Sequence, residues 1–116
     1  MSDCNYTVYP PLDYGAMAVT DVDKSFIMDC TANMTARADT ISSIGTATII
    51  RDDGETLTSQ DLTVISSSVV AGGLKFTWGL QGNGNTAKYI VSFPMNLTSG
   101  TIINRSIVIR VLPAIG

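Results

Sequence analysis

Leu74-Lys75-Phe76-Thr77-Trp78-Gly79-Leu80 and Tyr89-Ile90-Val91-Ser92-Phe93-Pro94-Met95 decide the fold. In the first stretch Leu74, Phe76, Trp78 and Leu80 fall on one side, with Lys75 and Thr77 on the other. In the second, Tyr89, Val91, Phe93 and Met95 oppose Lys88, Ile90 and Ser92. A period of two belongs to an extended strand with one face buried; a helix would repeat every 3.6 residues. Residues 79–85 separate the two stretches with three glycines and two asparagines, a composition able to take positive φ in a loop.

The same period extends both ways along the chain. Phe26, Met28 and Cys30 alternate with Ile27 and Asp29, and Leu62 and Val64 flank Thr63. Ile44, Thr46, Thr48 and Ile50 alternate with Gly45, Ala47 and Ile49, which predicts one strand covered on both faces. Asp52-Asp53-Gly54 marks a turn, and Ser66-Ser67-Ser68 breaks the pattern. The last strand places Ile103, Ile107, Ile109 and Val111 inward, interrupted by Arg105, whose long stem lets its head reach water. Residues 34–39 hold the one plausible helical turn, too short to stand alone. About seven antiparallel strands with turns between them predict an all-β sandwich over residues 14–116. Residues 1–13 read as an extended N-terminal arm, because Pro10-Pro11 blocks a helix and favours an extended path. Tyr6, Val8 and Tyr9 make the arm more apolar than a solvating tail, so it either lies on its own domain or adds a strand to a partner.

Composition narrows the function classes. The 116 residues suit one domain with a real core. Charged residues are 15% of the chain, well below the usual quarter, and Ser, Thr and Asn take their place. Such a surface suits a protein covered by neighbours. Residues 1–61 carry all ten acids against three bases, and residues 62–116 carry four bases and no acid. Either the halves interleave in space, or the molecule has an acidic and a basic face that favour head-to-tail contacts between copies. No apolar run approaches the ~20 residues of a membrane span, and the acidic, polar N-terminus does not read as a secretory leader. A reducing compartment is therefore expected, with Cys4 and Cys30 as free thiols.

The chain has no histidine, which removes the commonest general base and metal ligand and any Ser-His-Asp arrangement. Asp52, Asp53 and Glu55 do not match a calcium-loop spacing, and Asp21 and Asp23 read as solvated loop carboxylates. No enzyme, cofactor or metal is expected. Negative net charge and inward aromatics argue against nucleic acid. Carbohydrate binding keeps three candidate exposed rings, Tyr6, Tyr9 and Tyr14.

The stretch from Tyr89-Ile90-Val91 through Ser99-Gly100-Thr101 to Arg105-Ser106-Ile107-Val108-Ile109-Arg110-Val111 resembles the closing hairpin of the bacteriophage fiber-tail adaptor family. The family pattern is Tyr-x-Val, a polar stretch, Ser-Gly-Arg/Thr, then Arg-Ser-apolar-x-apolar-x-Val. The likeness covers about residues 20–112, with Thr101 where many members carry Arg and Asp29-Cys30 where many carry Asp-x-Trp. The resemblance implies an immunoglobulin-like sandwich in a virion, made in the bacterial host cytoplasm, and no catalytic residues. It implies an adaptor joining a fiber to the tail, neck or capsid through protein contacts. A capsid decoration protein and a carbohydrate-binding module are the alternatives. Tyr6, Tyr9, Pro10 and Pro11 of the arm and the loop residues Asn83 and Thr98 are the expected partner contacts, with no nucleic acid and no membrane involved.

Overall fold

The computed structural model describes residues 12–22 and 24–113. Among them are eight strands and one helix: β1 Leu12–Ala18, β2 Lys24–Asp29, α1 Thr31–Arg37, β3 Ile41–Ile44, β4 Thr48–Arg51, β5 Thr63–Val69, β6 Lys75–Gln81, β7 Lys88–Leu97 and β8 Ile102–Leu112. They form two sheets. One runs β1-β8-β7-β3, with β4 also paired to β7, and the other runs β2-β6-β5. The architecture is predominantly β and compatible with an all-β sandwich.

Period-two patterning builds the core. Phe76, Trp78 and Leu80 of β6 meet Tyr89, Val91, Phe93 and Met95 of β7 and Ile103, Ile107, Ile109 and Val111 of β8, all at 2% exposure or less. Each such side chain contributes on the order of 1.5–3 kcal/mol by leaving water. Trp78 stands at the centre of the ring cluster, 4.9 Å from Phe93 and 5.3 Å from Phe76. Its Nε1–H has no hydrogen-bond partner among the described residues, so packing alone holds it. Cys30 is a buried free thiol whose Sγ lies 3.8 Å from Met95 Sδ, while Cys4 lies outside the described residues.

Four departures from the sequence reading have physical causes. The strand predicted over residues 44–50 is two short ones, β3 and β4, both paired to β7. Pro94 of β7 is the cause. Its carbonyl accepts the Gly45 N–H at 2.8 Å, and a strand residue turns its N–H and C=O toward the same neighbour. The missing proline donor therefore faces β3 and β4, and the ladder stops there. A Cβ on Gly45 would sit 2.8 Å from Pro94 Cγ, so only glycine fits. Second, Ser66, Ser67 and Ser68 do not break a strand but belong to β5, an edge strand that faces solvent.

Third, β1 pairs parallel to β8 within an otherwise antiparallel set. Strands so far apart in sequence are joined by no hairpin, so nothing forces them antiparallel. β1 also starts at Leu12, inside the segment read as arm. Fourth, the helical turn is a full helix, α1, placed three residues earlier than expected. Asp29 Oδ1 accepts the Thr31 N–H at 2.9 Å at its start, and Ala38 ends it with a left-handed φ of 53°. Met34, fully buried, turns the helix toward the core.

The two lateral flanks differ. On one, β1 and β2 are drawn together: Tyr14 packs 5.3 Å from Trp78 and 6.1 Å from Phe26, and its hydroxyl donates to the Ile27 carbonyl at 3.1 Å. On the other, β3 approaches β5, and a groove opens beside them between residues 45–49 and 63–67.

Candidate functional site

The loops expected to touch partners lie near opposite ends of β7. Thr98 is exposed in the β7–β8 turn, where its hydroxyl lies 2.7 Å from the Thr40 hydroxyl and its N–H donates to the Thr40 carbonyl at 2.9 Å. Beside it, Ser99 donates to the Asp39 carboxylate, which lowers the Asp39 pKa. This end is a small clip between the β7–β8 turn and the start of β3.

Asn83 is half-buried and hydrogen-bonded to its surroundings. Its side-chain amide donates to the Asp61 carbonyl at 2.9 Å and to Thr63 Oγ1 at 3.2 Å, and its own carbonyl accepts from Gln81 Nε2 at 3.1 Å. These bonds turn it inward toward the loop joining β4 to β5. Gly82, just before it, permits close approach to the neighbouring chain: an added Cβ would collide with the Val19 carbonyl. The other expected contacts, Tyr6, Tyr9, Pro10 and Pro11, lie outside the described residues. Tyr14, named as an exposed ring for sugar binding, is half-buried against Trp78 and Phe26 because it closes the β1–β2 flank.

Asp61 anchors this end, and sequence reasoning missed it. It is 1% exposed. Its Oδ1 accepts from Tyr89 OH at 2.7 Å, Arg51 Nη1 at 3.1 Å and Asn85 Nδ2 at 3.2 Å, and its Oδ2 accepts the Thr58 N–H at 2.7 Å. Burial by itself would raise its pKa. The hydrogen bonds from Tyr89, Thr58 and Asn85 and the Arg51 charge outweigh burial and hold it at about 2. Burial and the same carboxylate push Tyr89 up to about 12. Arg51 reaches Asp53 with its other nitrogens, at 2.8 and 3.1 Å, so one guanidinium links the exposed turn to the buried acid. The hub fastens residues 52–62 to the 82–87 loop and β7. Nothing local in the sequence marks it, because its partners lie up to 28 positions away.

The surface best suited to contact is the open flank. A groove of about 380 Å³ runs between Gly45, Thr46, Ala47 and Ile49 on one wall and residues 63–67 of the β5 side on the other. Both walls are sheet edges: among the described residues β4 pairs only with β7 and β5 only with β6. Such edges present unpaired backbone donors and acceptors to an incoming strand. A bulge between Val64 and Ser66 interrupts β5, and Ile65 there is 44% exposed. No residue lining the groove carries a charge. The Thr63, Ser66 and Ser67 hydroxyls beside Ile49 and Ile65 are the signal the sequence did contain, a hydroxyl run next to a lone isoleucine.

Around the corner, the outer face of the larger sheet carries an apolar rung. Ile50, Ile90 and Val108 are register partners across β4, β7 and β8, and Ile50 is 54% exposed where the sequence reading placed it under cover. Lys88 and Arg110 pair on the next rung. Opposite charges from the two halves of the chain meet in two places: Lys88 Nζ lies 3.8 Å from Asp52, and Lys75 is the cross-strand partner of Asp29. At these positions the halves interleave. Asp21 accepts the Ala18 N–H at 3.0 Å, and Asp23 lies outside the described residues. Among the described residues no three His, Cys, Asp or Glu side chains gather as metal ligands, and no helix is long and apolar enough to cross a membrane. No protein-family model, curated protein or solved structure matches this chain.

Proposed function

We propose that the protein is an immunoglobulin-like structural component of a bacteriophage virion, an adaptor that joins a fiber or neighbouring protein to the tail, neck or capsid. The resemblance of the β7–β8 hairpin to the fiber-tail adaptor family supports the virion setting. The open flank supports the adhesive role and is the observation that carries it. Two strand edges face one uncharged groove, so an extended segment of another protein can add its backbone hydrogen bonds there and seat alternate side chains against Ile49 and Ile65. Asp61 is the one buried charged residue among those described, and each of its contacts is structural. This reading takes the open strand edges as the working surface.

The test is to locate the protein in purified particles and to mix it with the isolated particle proteins. Copies at the tail or neck, and binding to a tail, neck or fiber protein in sedimentation, are the expected results. Copies spread over the capsid shell would replace the adaptor by a decoration protein. A protein absent from particles, and monomeric beside every particle protein, would remove the proposal.

A further inference from the structure

We infer that the open groove receives Tyr6, Thr7, Val8 and Tyr9 of a second copy of this chain, so that copies join head to tail. This deepens the adhesive reading and rests on it.

Reach keeps the four residues from seating together in the chain's own groove, because Tyr9 must lie there with the others. Leu12 pairs with Ile107, Ile107 with Val91, and Val91 with Ile49, which lines the groove. Leu12 and Ile49 therefore lie on one rung, three strand spacings or roughly 14 Å apart. Tyr9 is three residues from Leu12 and reaches at most about 11 Å from it. The direct line runs within the sheet, across β8 and β7, so any real path passes over a sheet face and is longer. A neighbouring copy is not bound by that limit.

Chemistry matches as well. The segment is uncharged, as is the groove lining. Tyrosine and valine are residue types favoured in strands. Pro10-Pro11 lacks backbone donors, so neither residue can give a ladder hydrogen bond to a neighbouring strand. The bulge in β5 limits a foreign strand to a short pairing, which suits four residues. A contact from the β1 side of one copy to the β5 side of the next uses two different surfaces, so it builds rings or filaments.

The test uses the full chain in analytical ultracentrifugation, with Val8→Asp spoiling the donor and Ile65→Arg spoiling the acceptor. Wild type is expected to gain mass with concentration, and each variant to stay monomeric. An equimolar mixture of the two is expected to stop at dimers, because Ile65→Arg retains its arm and Val8→Asp retains its groove. Unchanged far-ultraviolet circular dichroism and thermal midpoint confirm that both variants fold. Monomeric wild type, oligomers that survive both substitutions, or a mixture that stays monomeric would overturn the inference. A wild-type monomer that still binds particle proteins would overturn the exchange and leave the adaptor reading standing. Head-to-tail oligomers that are absent from particles would support the exchange and remove the virion setting.

Discussion

The two flanks of this molecule solve the same problem in opposite ways. Each is a place where the edges of two sheets come near each other. On the β1–β2 flank, Tyr14 spans the gap, meets Phe26 edge-on and Trp78 at a tilt, and hydrogen-bonds the Ile27 carbonyl. On the β4–β5 flank no aromatic spans the gap, and small or hydroxylated residues line an open groove. Stability is concentrated where rings close the gap, and the capacity for contact where they do not. A polar hub at Asp61 lets the second flank stay open by fixing the loop that crosses from β4 to β5.

Breaking the closed flank should have the largest effect. Trp78→Ala removes the ring at the centre of the cluster and should destabilise the protein by about 3–5 kcal/mol in urea unfolding. Trp78→Phe should cost less than half as much, since the indole N–H makes no hydrogen bond that would be lost. Equal losses for the two variants would contradict the packing account.

The hub should give the next largest effect. Asp61→Asn leaves the shape but removes the charge facing Arg51, and should cost about 3 kcal/mol. The same group sets a pH dependence. Its folded pKa of about 2 lies below the ordinary 3.8, so its contribution is present above 3.8 and is lost as pH falls toward 2. Tyr89 works in the other direction. Its folded pKa of about 12 lies above the ordinary 10.0, so its contribution is complete below 10.0 and is lost as pH rises toward 12. Thermal midpoints measured across pH should fall at both ends, and Asp61→Asn should flatten the acid limb. An unchanged acid limb would mean that Asp61 does not fasten the loop.

On the open flank the effect on stability should be the smallest. Ile65→Arg places a charge on an exposed edge and should shift unfolding by no more than about 0.5 kcal/mol, while abolishing self-association. A large loss of stability would show that the groove belongs to the core.

The closed interior was legible in the sequence because its signal is local. Phe76, Trp78, Tyr89, Val91, Phe93, Ile107 and Ile109 recur at every second position along their strands, and each is buried. The features that depend on distant partners were not legible. The break between β3 and β4 is caused by Pro94, some fifty positions from Gly45 along the chain. Asp61 looked like one acid among ten, and its burial depends on Arg51, Asn85 and Tyr89 arriving together. Asn83 was chosen for its loop composition, yet its amide turns inward to Asp61. Ile50 and Ile65 carry the apolar character of core residues, and only the sheet order shows them to lie on edges.

Amide hydrogen exchange, read residue by residue before and after assembly, tests the central claim most directly. The β5 amides that donate nothing to β6, within Thr63–Val69, should exchange fast in the isolated protein and become protected on assembly. Those of β6, β7 and β8 facing paired strands should be slow throughout. Protection of the β5 edge in the isolated monomer, or assembly that protects the β1–β2 flank and leaves β5 unchanged, would contradict the account.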